Sequence, residues 1–443
     1  MIKIAKTLLT LTLLSSCLIG CTVLNKETES GSARTKGTSK QKSQSLISAG
    51  SEQLALMYNP YSTTIHPKVF VKKKSDNDMD LFVEINDSEL LFSKANAKNS
   101  NIANVRIYYK IMESYENITL IDSCQKIITF TKSENPRTYN IKLKVKPVEL
   151  EKFVIMTTVS DLNRGKMSIH FTDVDRTNSL SADNFMITRM DNLQPYTNNY
   201  IKKGEAVRID YLRGSTNPVT YGGDHDLIDI VPVLPYGSNP AIEDTVIFSN
   251  TGYRDKSYIL KGEDEKIYIT TADTAYKQNL AIPCFGGDFP NINTPDELIK
   301  PLAYLMKPEE YEKLKSSKTK KLDVDEFWYS CSQDLRKAKE QIKIYYTRAI
   351  FANLYFTDYR EGSMTDRGML YIVFGPPKIL AITSKSEIWT YVDKQNGKKI
   401  SYVFARKENK LCGVEYVLRR YPDFKYHWDR GVNAWRKGKI FSF

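Results

Sequence analysis

Between residues 105 and 159 apolar side chains recur at every second position. Val105, Ile107, Tyr109 and Ile111 do so, as do Phe153, Ile155, Thr157 and Val159, and Ile141, Leu143 and Val145 alternate with Lys142 and Lys144. Alternation at period two turns one face of an extended chain to a core and the other to water, which is the pattern of antiparallel sheets. Turn-forming clusters such as Ser133-Glu134-Asn135-Pro136 separate the runs, so residues 51–180 are expected to form a β-sandwich-like domain.

A second set of strands is expected at Val207–Tyr211, Ile230–Val233, Val246–Phe248, Tyr258–Leu260 and Ile267–Ile269. Pro232 cannot donate to a ladder, so its strand belongs at an edge or a bulge. These runs define a second β domain over 181–292.

The period then lengthens. Phe327, Cys331, Leu335, Ala338, Ile342, Tyr345, Ala349, Ala352 and Phe356 step by three or four, predicting one long amphipathic helix over Asp325–Leu354 with Asp323 or Asp325 as its N-cap. Pro308–Lys320 reads as a shorter exposed helix, and 293–357 as a helical segment. The chain as a whole is therefore expected to be β-rich α+β: two tandem β-sandwich-like domains, a long helix and a small C-terminal α+β motif domain over 358–443.

The N-terminus reads differently. Lys3 and Lys6 precede an apolar run from Leu8 to Leu14, too short to span a bilayer, as in a signal peptide over 1–20. Leu18-Ile19-Gly20-Cys21 resembles the lipobox of bacterial lipoproteins, which implies cleavage before Cys21, lipidation of its thiol and burial of acyl chains in a membrane. Residues 21–50, rich in Lys, Ser, Thr and Glu, offer little to bury and read as a disordered tether.

Hydrophobic residues at 41% and charged ones at 26% suit a globular chain. The formal charge of +12 is scattered in short runs such as Lys72–Lys74 and Lys318–Lys321, without a nucleic-acid-binding module, so solvated faces are the expected account of it, with attraction to anionic lipid headgroups or acidic glycans as the alternative, and a nucleic-acid partner is not expected. Beyond the signal peptide and the lipidated residue, Cys124, Cys284, Cys331 and Cys412 lie more than forty residues apart and make no metal or redox motif. Spacing leaves their disulfide pairing open, with buried free thiols the expectation for at least two. Asp224-His225-Asp226 with Asp229 follows Tyr221-Gly222-Gly223 and reads as a solvated acidic loop, because no fixed third or fourth ligand accompanies it. No metal or cofactor is expected.

The stretch after the helix carries a resemblance. Gly362-Ser363-Met364-Thr365-Asp366-Arg367-Gly368, then Tyr371-Ile372-Val373-Phe374-Gly375-Pro376-Pro377, is similar to the GWxTD domain of Bacteroidota envelope lipoproteins. Gly362, Thr365, Asp366, Arg367, Gly368, Tyr371, Gly375, Pro376 and Pro377 fall in register, and Ser363 stands where the family has tryptophan. Glu387-Ile388-Trp389-Thr390-Tyr391 resembles a downstream tryptophan strand of the same family. The resemblance implies an envelope lipoprotein and no established reaction.

Physical reading of these residues favours structure. Gly362 and Gly368 bracket a turn, Thr365 and Asp366 cap the backbone that follows, Arg367 pairs with a carboxylate across the turn, and Gly375-Pro376-Pro377 ends a strand. Asp366 as a general acid or base would need a second placed group, and no histidine or nucleophile motif adjoins it in sequence. No catalytic residue is therefore assigned. Two functions follow. One is a non-catalytic, lipid-anchored scaffold or accessory subunit of an outer-membrane complex for protein assembly or secretion. Its partners would be integral outer-membrane proteins or other envelope lipoproteins, on either face of that membrane. The other is a glycan- or peptidoglycan-directed binding module or hydrolase drawing on Asp224 and Asp226. The 28 tyrosines fit contact surfaces as readily as strands.

Overall fold

The alternating runs become long strands. In the computed structural model β1 is Lys68–Lys73, β2 Met79–Asn86, β3 Ser93–Lys94, β4 Asn101–Met112, β5 Leu120–Thr131, β6 Thr138–Val145, β7 Lys152–Asp161 and β8 Lys166–Asp175. The residues described are 46–62, 65–94, 101–135, 137–178, 180–213, 218–223, 231–238, 248–250, 256–263, 266–271, 280–394, 396–409 and 411–443. All of them belong to one compact unit, Gln44–Phe443. One sheet runs β1-β2-β6; the other runs β3-β4-β7-β8, with β5 also paired to β4. Leu81, Val83 and Leu143 of the first share a core with Val105, Ile107, Ile155 and Val159 of the second, so the two sheets form a sandwich.

A second pair of sheets follows, built from β9 (Phe185–Arg189), β10 (Ile201–Lys202), β11 (Ala206–Tyr211), β12 (Val219–Gly223), β13 (Phe248–Asn250), β14 (Ser257–Lys261), β15 (Ile267–Thr271) and β16 (Leu280–Phe285). The orders are β14-β11-β9 and β10-β16-β15-β12-β13, with β10 and β16 parallel. Phe185, Ile187, Val207 and Ile209 face Tyr268, Leu280 and Ile282 across the shared core. Buried Lys73 of β1 joins the two sandwiches through an ion pair with Asp183 at 2.9 Å. One expected strand is corrected: Val231–Val233 is loop, since Pro232 removes a ladder donor and the carbonyl of Val233 instead accepts from Arg420.

The C-terminal part contains an N-terminal insert. Two short helices, α1 (Leu46–Ala49) and α2 (Glu52–Ala55), lie against β17 (Ile379–Ile382). Between them Ser51 exchanges backbone hydrogen bonds with Leu380 at 2.9 and 3.1 Å. Ile47, Leu54, Ala55 and Tyr58 are buried in the C-terminal core. The tether expectation is thus corrected at its end, because residues 46–50 are packed, and 51–58 join the C-terminal core rather than the first sandwich. Cys21 and residues 22–45 lie outside the described residues.

Helices α3 (Pro295–Ile299), α4 (Pro308–Lys315), α5 (Lys320–Ser332) and α6 (Leu335–Phe356) precede the motif. The single helix expected over 325–354 is two helices. Gln333 takes φ 52° and closes α5, and Asp334 caps α6 by accepting from the N–H groups of Arg336 and Lys337 at 2.8 and 3.0 Å. Turning there lets Trp328 of α5 pack edge-on against Tyr345 of α6, ring centroids 5.1 Å apart. The expected cap is corrected as well. Thr319 holds the N-cap position of α5, while Asp323 accepts from the Ser317 and Thr319 hydroxyls and Asp325 pairs with Lys321.

The chain closes with α7 (Asp366–Phe374), the antiparallel meander β17, β18 (Ser386–Val392), β19 (Lys399–Asn409) and β20 (Gly413–Leu418), and α8 (Phe424–Trp435). Tyr371–Phe374, expected as a strand, lies in α7. A continuous apolar run does not distinguish a buried strand from a buried helix, and the Thr365 cap decides it.

Candidate functional site

The motif turns sharply between α6 and α7. A Cβ on Gly362 would sit 2.1 Å from the Ala352 carbonyl oxygen, and one on Gly368 only 1.9 Å from that of Gly362, so backbone packs on backbone at both places. Thr365 caps α7, its hydroxyl accepting from the Gly368 N–H at 3.0 Å. Ser363 is buried; its N–H donates to Asn353 Oδ1 at 2.8 Å and its carbonyl accepts from the Tyr304 hydroxyl at 2.7 Å. At the far end Gly375 takes φ +84° and stops the helix. Pro376 and Pro377 follow it, and the Arg348 guanidinium donates to the Ile372 and Val373 carbonyls at 3.1 and 3.2 Å. Gly375-Pro376-Pro377, expected to end a strand, follows the end of a helix instead.

Asp366 is not a cap. Its carboxylate accepts from Arg420 Nη1 at 3.2 Å and from the Leu418 N–H at 2.7 Å, with Arg420 Nη2 on its other oxygen. Both side chains are buried, so α7 is pinned to the end of β20. Nor does Arg367 pair across its own turn. Its partner is Glu387 on β18, at 3.4 Å, and its guanidinium lies over the Tyr416 ring at 3.7 Å and the Phe356 ring at 5.0 Å.

Glu387 is 2% exposed and gathers three donors. Besides Arg367 these are the Tyr58 hydroxyl at 3.0 Å and the Trp389 indole N–H at 2.6 Å. Burial, and then the Glu387 charge, push the Tyr58 phenol well above its ordinary range. The Tyr371 hydroxyl donates to the Tyr58 carbonyl at 2.8 Å, so the motif holds the N-terminal insert by two bonds. Just upstream, buried Arg360 bridges Asp358 and Glu415, each at 2.8 Å.

Sequence reasoning missed Arg420, Arg348, Asn353 and Tyr58, and gave Glu387 no role. Their separations from the motif carry no local signal; only the isolated acid Glu387 beside Trp389 in an alternating strand marks a buried charge that needs a partner.

Other candidate residues lie apart. The Asp224-His225-Asp226 and Asp229 loop is outside the described residues. His66 Nδ1 stands 3.1 Å from Glu89 Oε1, and His170 Nε2 stands 2.9 Å from the Ser168 hydroxyl. Cys124, Cys284, Cys331 and Cys412 are free thiols, Cys284 buried and the others half-buried. Burial, and then Asp358 and Glu415, push the Cys412 thiol up. Among the described residues no group of three or more His, Cys, Asp or Glu side chains is placed to hold a metal ion.

No curated protein matches the chain. Among solved structures, the crystal structure of red sea bream transglutaminase is similar at 9% identity over 46% of this chain and 28% of that chain, with a TM-score of 0.16, and carries no argument about fold or activity. The GWxTD domain matches residues 266–437, from β15 to just beyond α8, and so contains the whole ion-pair cluster. This chain therefore carries a GWxTD domain over residues 266–437.

Proposed function

We propose that this chain is a lipid-anchored envelope protein of the Bacteroidota GWxTD type, with Ser363 in place of the tryptophan. It would act without catalysis as a scaffold or accessory subunit of an outer-membrane complex for protein assembly or secretion. The observation that carries this reading is the commitment of the motif's charges. Asp366 pairs with Arg420 and Arg367 with Glu387, each side chain no more than 12% exposed, which suits a lock between helix, sheet and N-terminal insert. Surfaces are then what the chain offers a partner. Leu120, Ile121 and Ile127 of β5 are 56%, 40% and 55% exposed on a strand whose partner is β4, a row suited to protein contact.

Anchoring rests on the Cys21 lipobox; among the described residues no helix is long and apolar enough to cross a membrane. Cys21→Ser is expected to move the protein from the membrane to the soluble fraction, and retention after a high-salt wash would count against that anchor. Function is tested by purification from detergent-solubilised membranes. Stoichiometric recovery with an integral outer-membrane protein supports the scaffold. Recovery as a lone monomer that binds purified peptidoglycan saturably would replace it with the glycan-directed reading.

A further inference from the structure

The first sandwich has an open edge. Strand β5 pairs with β4 from Thr131 opposite Ile102 to Asp122 opposite Ile111, and no described strand pairs with its other side. Just past its end the Lys132 N–H donates to the Asn101 carbonyl at 2.9 Å, so along this antiparallel ladder the even-numbered residues of β5 turn their backbone groups to β4. Ser123, Gln125, Ile127 and Thr129 turn theirs to the open edge. With Leu120, Ile121 and Ile127 exposed along it, this strand is a template for pairing with another.

The order of residues along the edge selects the strand that fits. Asp122, Cys124 and Lys126 stand opposite Ile111, Tyr109 and Ile107 of β4 and share one face. Asp122 pairs with Lys146 at 3.0 Å, and Lys126 is exposed without an ion pair among the described residues. A second β5 laid antiparallel about a two-fold axis at Cys124 sets Asp122 of each copy opposite Lys126 of the other, Ser123 opposite Gln125, and Ile127 beside Leu120 and Ile121. Ser123 and Gln125 then exchange their open backbone hydrogen bonds. An axis at Ser123 or Gln125 instead opposes Lys126 to Leu120 or Cys124, and an axis at Asp122 or Lys126 opposes like charges. Among these registers, the one at Cys124 alone answers charge with charge and apolar with apolar.

We propose that β5 is a homodimer interface, at which two copies of this chain join their sandwich sheets edge to edge through Ile121–Ile127. A lysine commonly shields an edge strand from pairing, but in this register Lys126 meets the aspartate of the other copy, a match that the sequence carries in itself. The dimer names what covers the exposed β5 row. It requires neither lipidation at Cys21 nor an outer-membrane partner, so it stands or falls apart from the scaffold reading.

In this register the two Cys124 residues face each other at a non-hydrogen-bonded site, with Cα atoms about 4.5 Å apart and within disulfide reach. Cys124 is a free, half-buried thiol in the single chain. Membranes carrying the full chain can be treated with diamide, which takes the hydrogens of two thiols and leaves a disulfide. A reducible band at twice the mass of the chain is expected, and its loss in Cys124→Ser. In a second measurement two differently tagged copies are expressed together and one is recovered through the other. Asp122→Lys and Lys126→Asp, each opposing like charges twice, are expected to lower that recovery roughly tenfold, and the two combined to restore it. Absence of the band, its persistence in Cys124→Ser, or a combined variant no better than either alone would each overturn the inference.

Discussion

Arg420 takes both oxygens of the Asp366 carboxylate, and the Leu418 N–H donates to one of the same oxygens at 2.7 Å. One side chain thereby fixes the start of α7 to the end of β20, 52 residues further along the chain. Removing one partner of a buried ion pair leaves the other charge uncompensated, which costs far more than losing a helix cap. Asp366→Asn is accordingly expected to destabilise the protein by about 3–5 kcal/mol in urea unfolding. A loss below about 1 kcal/mol would mean that the pair is solvated and that the carboxylate is free for another role.

The glycines of the motif make a steric prediction. At Gly362 and Gly368 an added methyl meets backbone that cannot move aside, whereas at Gly287 nothing lies within 4 Å. Gly362→Ala is expected to cost at least about 3 kcal/mol, or to prevent soluble expression, while Gly287→Ala stays within about 1 kcal/mol of the parent. Similar melting temperatures for the two variants would show that α6 and the motif are not in this close contact.

How far the sequence foretold this arrangement depends on the range of each signal. Alternation at Val105–Ile111 and Ile141–Val145 is local, and those residues are strands with the expected side facing the core. The helical period holds along α6, where Ala338, Tyr345, Ala349, Ala352 and Phe356 are buried, but the series runs on through the break at Gln333, where its member Leu335 is left 62% exposed. Asp334 before Leu335 was the available cap signal. In Met369–Phe374 every residue is buried, so no polar face reveals the period, and a strand from Tyr371 to Phe374 is the reading the sequence offers. The site was legible as a turn with a threonine cap and two packed glycines. Its charges were not, since Arg420 and Glu387 come from other elements and only the folded chain brings them to Asp366 and Arg367.

His170 supplies a pH dependence. Burial, and then the neighbouring His66, push its imidazole down to about 4 from an ordinary value of about 6.5. The folded state thus holds the ring neutral while the unfolded chain protonates first. The sign follows: the full stability is present above about pH 6.5 and is lost as pH falls towards 4, by at most one proton or about 1.4 kcal/mol per pH unit. His170→Gln should flatten urea midpoints over that window relative to the parent. Identical slopes for the two proteins would show that His170 accepts its proton freely in the fold.

The central claim is that the motif's charges hold structure and take no part in a reaction. The paired substitution Asp366→Asn with Arg420→Gln leaves no uncompensated charge and keeps a side-chain acceptor for the Leu418 N–H, while the guanidinium's bonds to the Val233 and Leu234 carbonyls are lost. The measurement is co-purification of this double variant from solubilised membranes, beside its unfolding midpoint. The predicted result is a stability above that of Asp366→Asn alone, since no buried charge is left unpaired, and the same membrane partner in the same ratio. A double variant that is as stable as the parent, yet loses that partner or any hydrolysis of an envelope glycan, would contradict the claim.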